Sequence, residues 1–260
     1  MHCGSACSPL GIVNSLVPGN TYRFEGDIAY GQALRQQLDV YRPLPSALPA
    51  EGSRPLIVFF FGGSWSSGDR ASYKFLGEAL AARGAVVVIP DYRLSPQVAY
   101  PAFVEDSALA VKWGLDHAAQ FGADPRQVYV VGHSSGACNA AMVALDARWL
   151  NAVGASPKQL AGWIGLAGPY DFLPIVHAAS GAPRTPLMAA TKDTLVDPVR
   201  NTRQMADKLH AAGVEVALRE FDDLSHVTLI GAFAKPLTWI GGPVLSFIGL
   251  SSAPSDKVAR

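Results

Sequence analysis

Gly132-His133-Ser134-Ser135-Gly136 sets a hydroxyl between two glycines. The apolar run Val128-Tyr129-Val130-Val131 precedes it, and an Ala-rich stretch without proline follows. The run suits a strand buried on both faces, and the stretch suits a helix. Strand, sharp turn and helix form the setting in which the serine of a G-x-S-x-G pentapeptide becomes an exposed nucleophile. Glycines flank it because side chains there would strike the adjacent strand and helix. Ser134 is thus a candidate nucleophile. The N–H of Ser135, at the start of the helix, faces the place where an oxyanion would develop. The pentapeptide alone describes an ordinary strand-to-helix turn equally well, so the rest of the chain has to decide.

A serine nucleophile needs a base to take its proton and an acid to orient that base. Of the six histidines, His226, in Asp223-Leu224-Ser225-His226, is the only one predicted at the carboxyl end of a strand. His2 lies in the N-terminal tail, and His177 lies in an ill-defined connection. His117 and His210 fall late in helices, where they complement the dipole. His133 flanks the serine, with its side chain expected to turn away. For the acid, Asp193 comes first after a strand ending at Ala190, while Asp197 precedes Pro198 and reads as a helix N-cap. Asp193 has the better reach and is favoured. Asp222 and Asp223 read as solvated loop. Gly62-Gly63-Ser64 ends another buried strand, and its glycines let backbone N–H groups approach a substrate closely. Four strand ends therefore carry groups suited to acyl transfer, which is where open α/β sheets hold their sites.

The elements that must position these groups alternate along the chain. Tyr22–Ile28 and Gln37–Tyr41 read as antiparallel edge strands leading into a proline-rich loop. Pro55–Phe61, Ala85–Pro90, Leu160–Ala167, Pro186–Ala190 and Val214–Phe221 read as further strands. Ala71–Arg83 reads as a helix stopped at Gly84, residues 102 to 120 as a second, and Pro198–Ala212 as another stopped at Gly213. A last helix is expected between Val227 and Leu250. Apolar strands alternating with helices predict an α/β fold with a doubly wound, mostly parallel sheet. Without repeats or an internal linker, residues 1–260 form one expected domain, with 1–20 as a flexible N-terminal segment.

Hydrophobic residues make up 49% of the chain and charged ones 16%, ample for a large core and unlike a disordered chain. The formal net charge is zero, with no basic cluster, so neither nucleic acid nor an anionic membrane is an expected partner. No apolar run of membrane-spanning length occurs. Three cysteines do not make a disulfide framework. Cys3 and Cys7 lie in the N-terminal segment, and Cys138 reads as a small packed residue. No Cys/His spacing suggests zinc, and neither metal nor cofactor is expected. The N-terminus lacks the parts of a complete signal peptide, which makes the cytoplasm the default compartment. Ser5-Ala6-Cys7 also looks like the tail of a lipoprotein cleavage site, so an exported lipoprotein whose signal sequence is missing from this chain is the alternative.

Taken together, the chain resembles the α/β-hydrolase superfamily, in the branch of hormone-sensitive-lipase-like carboxylesterases, feruloyl-esterase-like enzymes and kynurenine formamidases. The matching stretches are FGGSWSSGD, PDYRLSP, YPAFVEDSALAVKW, FGADPRQVYVVGHSSGA, GPYDF, KDTLVDP and the terminal LSH, spread from about Gln37 to His226. The order Ser134, Asp193, His226 is also that of the superfamily. The resemblance implies Ser134 as nucleophile, Asp193 as acid, His226 as base, and Gly63, Ser64 and Ser135 as oxyanion-hole N–H donors. Phe61 stands where the family usually has a histidine, and can hold the loop only by packing. Gly-His-Ser-Ser-Gly departs from the Gly-Asp-Ser-Ala-Gly of the lipase-like branch and leans towards the feruloyl-esterase and formamidase side. The connection between Gly168 and Arg184 is too short for a large cap, which implies an open site with a minimal lid and no interfacial activation. The expected activity is hydrolysis of small-molecule carboxylic esters with small acyl groups. The alternatives are an N-formyl amide hydrolase using the same triad and a non-catalytic binding protein on the same fold.

Overall fold

The alternating apolar runs come together in one eight-stranded sheet, ordered β1-β2-β4-β3-β5-β6-β7-β8. A computed structural model describes residues 9–47, 49–171, 182–234 and 241–250. Its strands are β1 (Tyr22–Ala29), β2 (Gln37–Pro43), β3 (Arg54–Phe60), β4 (Val86–Pro90), β5 (Ala123–His133), β6 (Gly162–Leu166), β7 (Thr185–Ala190) and β8 (Val216–Phe221). The helices are α1 (Pro9–Ser15), α2 (Lys74–Ala81), α3 (Ala102–His117), α4 (Ser135–Leu145), α5 (Ala147–Ala152), α6 (Gln204–Ala211), α7 (His226–Gly231) and α8 (Gly241–Phe247). The β1–β2 and β2–β4 pairs are antiparallel, and every other pair is parallel. This is the mostly parallel architecture expected. Among the described residues, no helix is long and apolar enough to cross a membrane.

Parallel strands covered on both faces must be apolar along their whole length. Every residue of β3, β4, β6 and β7 is buried. Helices α3 and α4 pack on β3 and β5, with α5 against both helices, while α2 packs on β2 and β4 beside α1 and α8.

Several boundaries differ from expectation. Strand β2 is not an edge, because β4 pairs on its other side; among the described residues, β1 and β8 end the sheet. The predicted Ala71–Arg83 helix divides into a 3-10 turn at Arg70–Tyr73, capped by Asp69, and α2. The Pro198–Ala212 helix likewise opens with a wider π-type turn before α6. Among the described residues, the C-terminal region carries two short helices, α7 and α8. Within the segment read as flexible, Asn14 on α1 donates to the Ala71 carbonyl and accepts from the Phe75 N–H, each at 3.0 Å. His2, Cys3, Cys7, His177 and most of the Gly168–Arg184 connection lie outside the described residues.

Candidate active site

Strand β5 ends at His133 and α4 begins at Ser135, leaving Ser134 alone at the turn with φ 55° and ψ −126°. A non-glycine residue rarely adopts such a conformation unless its surroundings impose it. They do so here. A Cβ on Gly132 would lie 2.2 Å from the Gly136 carbonyl oxygen, and one on Gly136 would lie 2.1 Å from that of Phe60. The strand and helix are too close for any residue but glycine at those two positions. The Ser134 N–H is anchored to the Leu166 carbonyl of β6 at 2.9 Å.

Asp193 and His226 arrive from the next two parallel strands. Asp193 follows β7, and His226 opens α7, which is capped by Ser225 through a capping box. His226 Nδ1 and Asp193 Oδ2 are 2.7 Å apart. The other carboxylate oxygen accepts the N–H groups of Leu195 and Val196, both at 2.9 Å. Burial would raise the Asp193 pKa, but the His226 hydrogen bond and the Val196 and Leu195 N–H groups outweigh it and hold the carboxyl below its usual value. Asp193 therefore stays ionised, fixing His226 with Nδ1 protonated and Nε2 free to accept a proton. Asp197 takes the Val199 and Arg200 N–H groups and closes the following turn, as its position before Pro198 suggests. Ser134 and His226 line one open cleft of about 780 Å³, with no hydrogen bond between them among the described contacts. Such contacts often tighten only when substrate binds.

The loop after β3 forms the facing wall. A Cβ on Gly62 would stand 2.8 Å from that of Ser134, so the loop lies directly against the turn. The Gly63 carbonyl faces into its own loop, accepting the Ser66 and Ser67 N–H groups at 3.0 and 3.1 Å. This keeps an acceptor away from the cleft. Among the described residues, none of the N–H groups of Gly63, Ser64 and Ser135 donates a hydrogen bond. The packing expected of Phe61 has a definite form. Its ring stacks on Tyr92 at 4.6 Å and on Tyr73 at 5.8 Å, and the Tyr92 hydroxyl donates to the Phe61 carbonyl at 2.7 Å. Farther along, Trp65 donates its indole N–H to Asn139 on α4 at 2.8 Å, and Arg35 donates to the Gly68 carbonyl at 2.8 Å.

Sequence reasoning missed Tyr92, Asn139 and Arg35 as supports of this loop, because only the fold brings them there. It also misplaced one side chain. His133 does not turn away from the site: its Nε2 lies 3.0 Å from the His226 carbonyl oxygen, and its ring lines the cleft. Burial, and then the neighbouring His226, lower its pKa to about 3. Cys138 is buried one turn along α4, and burial pushes its thiol up to about 12, so it is inert as a nucleophile at neutral pH. Among the described residues, no group of three or more His, Cys, Asp or Glu side chains could hold a metal ion.

These buried groups make the fold acid-sensitive. His133 is neutral when folded, but in the unfolded chain it takes up a proton below about 6.5. Its contribution is therefore complete above that pH and declines as pH falls towards 3. Asp193, with its pKa lowered, adds a loss of the same sign below the ordinary carboxylate value. Urea unfolding should show a lower midpoint at pH 5 than at pH 7.5, with up to about 1.4 kcal/mol lost per pH unit below about 6.5. A flat midpoint across that range would contradict the assignment of a neutral His133.

Comparison with known proteins places these features in a family. A family model described as BD-FAE matches residues 38–211. A probable isoprenylcysteine alpha-carbonyl methylesterase of Arabidopsis thaliana, ICMEL1, is 33% identical over 154 residues, covering 57% of this chain and 32% of that protein. Carboxylesterase NlhH of Mycobacterium tuberculosis is 39% identical over 95 residues, covering 36% of this chain and 30% of NlhH. The match thus spans about a third of the length of these curated relatives. Among solved structures, esterase B of Lactobacillus rhamnosis superposes with a TM-score of 0.74 at 19% identity, covering 88% of this chain and 86% of that one. Esterase 2 of Thermogutta terrifontis gives 0.72 at 23% identity, covering 90% and 97%. The fold is the α/β-hydrolase fold, and with the family model matching well over half of its length, the chain belongs to the BD-FAE family.

Proposed function

We propose that the protein is a serine carboxylesterase that cleaves uncharged esters with small acyl groups through an acyl-enzyme on Ser134. The observation that carries this reading is the 2.7 Å contact of His226 Nδ1 with Asp193, beside a cleft that also holds the strained Ser134. The family membership supports it, as do relatives named as a methylesterase and a carboxylesterase.

In this mechanism His226 Nε2 takes the Ser134 proton as the oxygen attacks the ester carbonyl. The negative charge moves to the carbonyl oxygen and is met by the N–H groups of Gly63, Ser64 and Ser135. His226 then returns the proton to the departing alkoxide, leaving an acyl group on Ser134. Water, deprotonated by His226, attacks that acyl group, and the acid and free enzyme are released. Asp193 holds the imidazole in place and stabilises its charged form throughout. The cleft lining supports an uncharged substrate, because apart from the histidines it consists of glycines, hydroxyls and apolar groups. Tyr73 and Ile230 are among the groups that line this cleft. The exposed Leu195 and Val227 add apolar surface to its lining.

A fluorophosphonate probe should attach to Ser134 in a one-to-one ratio, with the site read by peptide mapping. Short-chain phenyl esters should slow this labelling more than N-formylkynurenine does. No label on folded protein would sink the hydrolase reading; stronger protection by the formamide would shift it to N-formyl amides.

A further inference from the structure

We propose that His133 is a positioning residue for the reaction, a neutral imidazole that ties the base-bearing helix to the nucleophile turn. The inference rests on the hydrolase reading above. His133 precedes Ser134 directly, so its backbone moves with the nucleophile. Its Nε2–H donates to the His226 carbonyl at 3.0 Å, across 93 positions of sequence. The two rings lie 4.9 Å apart at 44°, in contact but not stacked. On its other side, His133 Nδ1 lies 3.2 Å from the place a Cβ on Gly62 would occupy. One side chain thus touches the base and stands beside the oxyanion loop, while its backbone adjoins the nucleophile.

His226 needs such a tether. It is the first residue of a six-residue helix, and the bonds that hold α7 in place locally are the capping pair of Ser225 and Thr228. Asp193 fixes the His226 ring through Nδ1 but does not fix its main chain. The bond from His133 supplies that second point of attachment, so ring and backbone are both held relative to Ser134. Misplacing a reacting group by about 1 Å can cost on the order of 10²-fold in rate.

The tether also has to be uncharged. The titratable groups facing His133 are His226 and Asp193. A charged His133 would oppose the imidazolium that His226 must become, although Asp193 would partly offset it. Burial at 5% exposure favours the neutral ring. With the Nε2 proton committed to the His226 carbonyl, Nδ1 carries none.

Two measurements test this. Long-range ¹H–¹⁵N spectra of the wild-type protein should show His133 as the Nε2–H tautomer, unprotonated at pH 5, consistent with a pKa of about 3. In pre-steady-state hydrolysis of a nitrophenyl ester, His133→Phe keeps the ring volume but removes the donor. It should keep the burst amplitude of the wild type while its acylation rate falls by about 10- to 100-fold with little change in KM. His133→Gln can donate an amide N–H and should recover much of that rate.

A merely structural His133 would instead lower the burst amplitude and leave the rate per titrated site unchanged, which overturns the proposal. An Nδ1–H tautomer, or titration near about 6.5, overturns it as well. If His133→Phe does not fold, the Gln variant and the wild-type spectra still decide. A wild type with no burst would count against the hydrolase reading, whereas the spectra test the tether separately.

Discussion

Ser134→Ala is expected to lower kcat by roughly 10⁶-fold while leaving the fold and substrate binding intact. The size follows from what the hydroxyl does. Without it no acyl-enzyme forms, and the residual rate comes only from the N–H groups of the loop and from binding. The fold should survive because the Ser134 bonds that hold the turn are main-chain ones, from its N–H to Leu166 and to its carbonyl from Ala137. The strained φ of 55° stays, since alanine carries the same Cβ. Circular dichroism and a urea midpoint near the wild type, with loss of the burst in active-site titration, would confirm it. Turnover within tenfold of the wild type would place the nucleophile elsewhere.

Asp193→Asn should cost about 10⁴-fold in kcat with a small change in KM. The reason lies in the two donors behind the carboxylate. The N–H groups of Leu195 and Val196 both point at Oδ1, so an asparagine must place its own carbonyl oxygen there. Its NH₂ group then faces His226 Nδ1 and can only donate. That forces the proton onto Nε2, the atom that has to take one from Ser134. The variant keeps the shape of the site and inverts its proton inventory. A loss of less than tenfold, with the burst retained, would mean that His226 is oriented by something other than Asp193.

Much of this arrangement could be read from the chain because it depends on local features. The strand, glycine, serine, glycine, helix pattern around Ser134 is a short-range steric requirement. A first acidic residue after β7 and a histidine after β8 fall at sheet ends whichever way the helices lie. What could not be read depends on side-chain direction and on contacts far apart in sequence. The elbow was expected to turn His133 away, yet its ring lies towards α7, where the His226 carbonyl accepts its Nε2–H. Phe61 looked like the loss of a hydrogen bond. Its replacement, a stack between Tyr73 and Tyr92, joins side chains 31 positions apart at its wider reach. Strand β2 read as an edge because, like β1, it is a short alternating run ahead of a proline-rich loop, and only the sheet order shows β4 beside it.

The position of β8 at the margin of the sheet has a bearing on how the protein would fail under stress. It is largely exposed, and among the described residues it pairs with β7 alone. Marginal strands with few buried contacts open at lower free energy than the interior of a fold. The residues immediately after β8 deliver His226, whereas Ser134 is fixed deep between β3 and β6. Heat or denaturant would therefore separate base from nucleophile by releasing one margin, with the central core still intact. Inactivation would run ahead of global unfolding, and the lost activity would return on cooling as long as the core had not opened.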